Sequence, residues 1–180
     1  MRIIAGTWRG QPLKPLGKGD AAAHLRPTPD RVREALFSMI GSRIDLDGAR
    51  VLDLFAGTGA LGLEAMSRGA AAATFVDQGR TSLRLIRANI AKLGASPATV
   101  LAADATRLPH GTPCDLIFLD PPYGKDMGGA ALASARQQGW IAPDALIVWE
   151  ESNPQSAEGF TELTNRRYGD TTITLLEPDP

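Results

Sequence analysis

The stretch Val51-Leu52-Asp53-Leu54-Phe55-Ala56-Gly57-Thr58-Gly59-Ala60-Leu61-Gly62 constrains the fold of this chain more than any other. Val51 to Phe55 has the apolar character of a buried strand, two closely spaced glycines turn the chain, and Ala60 to Arg68 continues as a helix up to Gly69. A sharp strand-to-helix turn opens a βαβ crossover, and crossovers commit a sheet to parallel strands covered by helices. The rest of the sequence keeps the alternation. Further strands are read at Ala73–Val76, Thr99–Ala102, Leu116–Leu119 and Ala145–Trp149, with helices at 81–93 and 128–138. Phe160–Tyr168 and Thr171–Leu176 read as a hairpin about Gly169-Asp170. The expected architecture is α/β and Rossmann-like: a mostly parallel seven-stranded sheet, helices on both faces and an antiparallel closing hairpin.

Gly57, Gly59 and Gly62 satisfy the dinucleotide pattern G-x-G-x-x-G, and Asp77 lies 20 residues beyond Gly57. A nicotinamide- or nucleotide-binding module is therefore one reading. Asp53 argues against it, because a dinucleotide fold usually places an apolar residue there, whereas a carboxylate suits the ammonium of an amino-acid ligand, directly or through water. S-adenosylmethionine fits the acidic strand ends better. Phe55, Ala56, Gly57, Thr58 and Gly59 would let backbone approach its methionine part, Asp77 with Gln78 would take the ribose, and Asp104 with Ala105 the adenine. A single strand-end aspartate is more often a turn or helix cap; three together point to a ligand.

Asp120-Pro121-Pro122-Tyr123 follows the fourth strand. An aromatic exocyclic amine is a weak nucleophile because its lone pair is delocalised into the ring. A carboxylate and a carbonyl accepting its N–H groups would aim that lone pair at a methyl group. Pro121 and Pro122 lack N–H donors, so they offer carbonyls on a stiff frame. Tyr123 can stack on the base. Asp120 is a candidate for the donor site as well. Adenine N6 or guanine N2, on DNA or RNA, would suit this tetrapeptide equally.

The net charge of −1 hides an asymmetry: residues 1–33 hold seven Lys/Arg against two acids, so residues 34–180 carry a balance of −6. A basic segment on an acidic body suits a polyanion. Arg2–Ala5 and Gln11–Leu16 read as a β-hairpin about a Gly-bounded turn, with Pro12 and Pro15 confining the second strand to an edge. Trp8 would stack on a base or cap the core. Thr28 is read as the N-cap of a helix with Pro29 at its first position, Val32, Leu36, Met39 and Ile40 facing inward, and Arg31 and Arg33 left for solvent or phosphate. The length fits one globular body, with residues 1–45 as a β-hairpin and helix extension suited to a polyanion and 46–180 as the Rossmann-like methyltransferase domain. With one cysteine, Cys114, and two histidines, neither a disulfide nor a metal site is expected; Cys114 is read as packing. No apolar run approaches the ~18 residues of a membrane span, so the expectation is a cytoplasmic protein, monomeric and without membrane contact.

Arg2-Ile3-Ile4-Ala5-Gly6, Trp8-Arg9-Gly10, Arg26-Pro27-Thr28, Asp30-Arg31-Val32-Arg33-Glu34, Asp53 to Gly59, Asp120 to Lys125 and Arg167-Tyr168-Gly169 together resemble the RsmD family of small-subunit rRNA methyltransferases. The resemblance implies an S-adenosylmethionine-dependent enzyme that methylates the N2 amine of guanine 966 in 16S rRNA, in the small subunit or an assembly intermediate. It implies that Asp120 to Tyr123 hold the guanine, and that Arg2, Trp8, Arg9, Lys14, Arg26, Thr28, Arg31 and Lys125 serve the RNA. Two departures stand out: similar proteins often have Glu where Asp77 ends the second strand, and residues 151–159 leave little room for the helix that often precedes the last hairpin.

Overall fold

The computed structural model describes residues 1–17 and 28–180; Arg26 falls outside them. Seven strands form one sheet in the order β3-β2-β1-β4-β5-β7-β6. They are β1 (Arg50–Leu54), β2 (Ala72–Asp77), β3 (Ala98–Ala102), β4 (Cys114–Leu119), β5 (Ile141–Glu151), β6 (Phe160–Tyr168) and β7 (Thr171–Pro178). β1 to β5 pair in parallel, and β7 inserts antiparallel between β5 and β6. The helices are α1 (Asp30–Gly41), α2 (Ala60–Ser67), α3 (Arg80–Leu93) and α4 (Met127–Gln137). Among the described residues no helix is long and apolar enough to cross a membrane.

The two-residue period of the strands sorts their side chains into two cores. Val51, Leu116, Phe118, Leu146 and Val148 join Leu36, Phe37, Ile40, Leu63 and Ile86 on the face covered by α1, α2 and α3. Leu52, Leu54, Ile117, Leu119, Ile147 and Trp149 meet Ala131, Leu132 and Ala135 of α4 on the other. Each fully buried side chain of this size contributes roughly 1.5–3 kcal/mol, which is what fixes the register. Cys114 is buried, and burial raises its thiol to a pKa of about 11, as suits a packing residue.

The N-terminal hairpin is reduced to one antiparallel bridge, Arg2 with Pro12. Three backbone bonds support it (Ile3 N to Gln11 O, Gly10 N to Ile3 O and Leu13 N to Met1 O, each 2.9 Å). Pro12 has no N–H to extend the ladder. What holds the segment is α2. Glu64, fully buried, accepts the N–H groups of Ile4 (2.9 Å) and Ala5 (3.1 Å) and is paired with Arg68 at 2.9 Å. Ser67 takes the Thr7 N–H on its carbonyl and the Trp8 N–H on its hydroxyl. Gly6 is required at this contact: its φ is +86°, and a Cβ there would lie 1.8 Å from the Ser67 carbonyl oxygen. Ile3 and Leu13 share the first core with the sheet, so the hydrophobic interior is continuous across residue 45.

Two expectations for α1 are corrected. Thr28 does not cap it; the N-cap is Pro29, without a side-chain bond. Arg33 is not at the surface. It is fully buried, bonds Asp30 Oδ1 at 2.6 Å and donates to the Arg2 carbonyl at 2.7 Å. The apolar face includes Phe37, while Met39 is only partly covered.

Candidate active site

The strand order reverses between β1 and β4, and open α/β sheets bind ligands beyond the carboxyl ends of the strands at such a switch. Along that edge the chain sets Asp104, Asp77, the glycine turn, Asp120 and Glu150 in the order of their strands, β3-β2-β1-β4-β5.

The turn is held from several sides. Phe55 leaves β1 with φ +58°, a left-handed conformation that costs a non-glycine residue on the order of 1–3 kcal/mol and needs support from its surroundings. Ala56 N–H bonds the Val76 carbonyl at 3.0 Å, and Gly57 N–H bonds Asp77 Oδ2 at 3.0 Å. The Thr58 carbonyl receives Asn89 Nδ2 of α3 at 2.9 Å. Beneath the turn Asp53 Oδ2 accepts the Gly62 N–H at 2.9 Å. Gly62 is the close-packing glycine, since a Cβ there would stand 2.4 Å from the Phe75 ring. Gly59, the cap residue of α2, has no side chain to cap the helix; Asp53 takes the Gly62 N–H, and the N–H groups of Ala60 and Leu61 with the helix dipole are left for an anionic group.

Asp53 departs from a direct contact with an ammonium. It is 1 % exposed and serves as a brace under the turn, and burial together with the nearby Asp77 and Glu150 raises its pKa to about 8. Asp77 is partly buried; its Oδ1 accepts the Gly79 N–H at 2.8 Å, so each oxygen takes one backbone bond and keeps acceptor capacity for a hydroxyl. Gln78 beside it is exposed. Asp104 bonds both the N–H and the hydroxyl of Thr106 through Oδ1, which holds its pKa down, while Oδ2 carries no bond among the described residues; Ala105 is buried.

At the end of β4, Pro121 is buried and Pro122 partly so. Tyr123 is the one large apolar side chain exposed among the described residues, at 43 %. Its hydroxyl is hydrogen-bonded to Thr171 Oγ1 of β7 at 2.8 Å, which fixes the ring, and burial of its tip pushes its pKa up to about 12. Asp120 retains some exposed surface, but its carboxyl is enclosed by protein and hydrogen-bonded to Glu150. Burial first, and then the Glu150, Asp53 and Glu151 carboxylates, raise Asp120 well above the usual range. Glu150, 2 % exposed on β5, is raised mainly by burial, and both its oxygens lie 3.2 Å from the Thr28 hydroxyl. Thr28 is thus tied to the acceptor side of the site through Glu150. The hydrogen bond between the two carboxyl groups couples their titrations, and both are shifted upward.

Of the residues expected to serve RNA, Arg9, Lys14, Arg31 and Lys125 are exposed. Arg2 is exposed but bonded to Asp30 at 3.3 Å. Trp8 is partly buried against the first core. Lys14 is joined to the site through Asn89, whose Oδ1 accepts the Lys14 N–H at 2.7 Å while its Nδ2 holds Thr58. Sequence reasoning missed Glu150, Asn89 and Thr171. Glu150 carried a readable signal, being a fifth apolar strand that ends in acid. Asn89 carried a weaker one, a polar residue on the buried face of an amphipathic helix. Among the described residues no group of His, Cys, Asp and Glu is placed to hold a metal.

A protein-family model described as "Conserved hypothetical protein 95" matches residues 1–177. Ribosomal RNA small subunit methyltransferase D of Escherichia coli K12 is 42 % identical over 153 residues, 83 % of this chain and 74 % of the relative. The chain belongs to the RsmD family. The Haemophilus influenzae protein of the same name is 35 % identical over 178 residues, 94 % of this chain and 89 % of its own. The solved structure of yhhF from Escherichia coli superposes with a TM-score of 0.85 at 35 % identity, covering 99 % of this chain and 98 % of that one. Membership of the RsmD family fits the seven-stranded sheet with its antiparallel hairpin and the acidic edge just described.

Proposed function

We propose that this member of the RsmD family transfers a methyl group from S-adenosylmethionine to the N2 amine of a guanine in 16S rRNA, guanine 966 by family resemblance. The observation that carries the reading is the placement of Asp120 to Tyr123 beside the glycine turn at the switch point of the sheet. The residues present suit the donor. The N–H groups of Ala60 and Leu61 at the start of α2 would take its carboxylate, Asp77 its ribose and Asp104 Oδ2 its adenine edge, with Phe55 to Gly59 alongside. When bound, the donor supplies an electrophilic methyl group on a sulfonium.

Everything else falls to the chain. Asp120 and a carbonyl of the proline pair accept the N–H groups of the amine, which frees its lone pair. Tyr123, anchored at Thr171, supports the base. Once the nitrogen carries its methyl group, the surplus proton has an acceptor in the Asp120–Glu150 pair, whose raised pKa values suit it to hold one. Positioning and a prearranged field supply most of the acceleration. Residues 1–45 serve as the RNA-gripping extension, with Arg9 and Lys14 on phosphate. The substrate is rRNA in the small subunit or an assembly intermediate; the names of the relatives support this choice of RNA.

Asp120→Ala is the test. It should abolish methyl transfer while leaving S-adenosylmethionine affinity within a few-fold. Retained transfer, or loss of donor binding instead, would remove Asp120 from this role.

A further inference from the structure

The exposed face of α3 is not used by anything described above. Arg80, Arg84 and Arg87 are all exposed, and none has an ion pair or hydrogen bond with a side chain of the described residues. At 3.6 residues per turn they fall within about 60° of one another, so they form a single stripe. The arrangement works against the helix: Arg80 and Arg84 repel at four residues' spacing, and Arg80 in the first turn opposes the macrodipole.

A merely solvated helix face mixes signs, and this one does not. Residues 78–103 contain four basic residues and no acid, and residues 1–17 contain three and no acid. The two segments pack side by side, since Lys92 Nζ donates to the Pro12 carbonyl at 2.6 Å and Asn89, on the face of α3 opposite the arginines, accepts the Lys14 N–H. Together they hold seven of the 19 basic residues and none of the 20 acids, so the remainder of the chain stands at −8. Arg2 is engaged by Asp30, which leaves six charges without an acidic partner among the described residues. α3 begins three residues after Asp77, at the edge that carries the site, and runs for about 21 Å away from it.

We propose that Arg80, Arg84 and Arg87 form a phosphate-binding track for the RNA strand that flanks the target nucleotide. Guanidinium groups bind phosphate bidentately, and a row of them suits a repeating anion. A protein partner fits less well, since no large apolar side chain is exposed on this face to anchor an interface. The inference rests on the rRNA reading above and extends it from the N-terminal segment to α3.

The test compares the wild type, an Arg84→Ala/Arg87→Ala double variant and Arg166→Ala, the last on β6 at the opposite edge of the sheet. Binding to a small-subunit rRNA transcript is measured from 50 to 200 mM salt, and S-adenosylmethionine affinity separately. Each lost phosphate contact lowers the slope of log affinity against log salt by ~0.7–0.9, so the double variant should bind about tenfold or more weakly with a slope shallower by about 1.4–1.8. Donor affinity should stay within twofold, and Arg166→Ala should behave as wild type. If the wild type methylates the RNA and the double variant keeps its affinity and slope, the track is wrong while the reaction stands. Equal loss in Arg166→Ala would also overturn it, as a net-charge effect. If the wild type neither binds nor methylates the transcript or the subunit, the reaction falls and the track with it.

Discussion

Replacing Asp53 with asparagine should make the protein more stable at neutral and alkaline pH and leave it nearly unchanged in acid. Burial lifts the Asp53 carboxyl from 3.8 to about 8 in the folded chain. Between those values the folded state holds a proton that the unfolded chain releases. Stability therefore falls as pH rises through this window, by up to about 1.4 kcal/mol per pH unit for one group. From pH 5 to pH 7 that amounts to roughly 2–3 kcal/mol; below the unfolded value Asp53 costs nothing, and above about 8 its penalty is constant. Asparagine keeps an oxygen for the Gly62 N–H and does not titrate. Urea unfolding followed by tryptophan fluorescence at pH 5, 6, 7 and 8 gives the comparison. The advantage of the variant should grow across the series, and a difference that stays constant from pH 5 to 8 would refute the buried, proton-holding Asp53. The same substitution should weaken S-adenosylmethionine binding more at pH 8 than at pH 6, because a buried negative charge under the turn is of use only to a cationic ligand.

Two further outcomes follow from the site and its support. Glu150→Gln removes the carboxylate that raises Asp120 while keeping groups that can bond Asp120 and Thr28. The acid limb of the kcat–pH profile should therefore move to lower pH with donor affinity unchanged, and a limb that does not move would separate Glu150 from Asp120. Gly6→Ala sets a Cβ 1.8 Å from the Ser67 carbonyl and strips N–H partners from fully buried Glu64. The loss should be about 3 kcal/mol or more in chemical unfolding, with faster proteolysis within residues 1–17, and a loss under about 1 kcal/mol would mean that the segment is not stapled this way.

The central sheet was legible because each parallel strand is a short apolar run closed by a turn residue and followed by a helical period. The acidic residues at strand ends were legible for the same reason, since a carboxylate at the end of a buried run has little packing value. What the sequence hid were contacts between residues far apart in the chain. Thr28 has every local attribute of an N-cap, yet it faces Glu150, 122 positions away. Arg33 looks like a surface cation on a helix, but Asp30 and the Arg2 carbonyl hold it inside. Glu64 reads as an ordinary helix residue, and only the folded N-terminal segment shows why it is buried. Pro12 and Pro15 were expected only to confine the second strand of the hairpin at residues 2–16 to an edge, whereas the ladder is cut to a single bridge.

The most direct measurement maps the modified base. Small subunits from a strain lacking its own enzyme for this site are incubated with the protein and methyl-labelled S-adenosylmethionine, and the labelled nucleoside is identified and located. The account predicts N2-methylguanosine at one position of 16S rRNA, lost in Asp120→Ala. Label in N6-methyladenosine, or in no RNA nucleoside with active protein and donor bound, would contradict it.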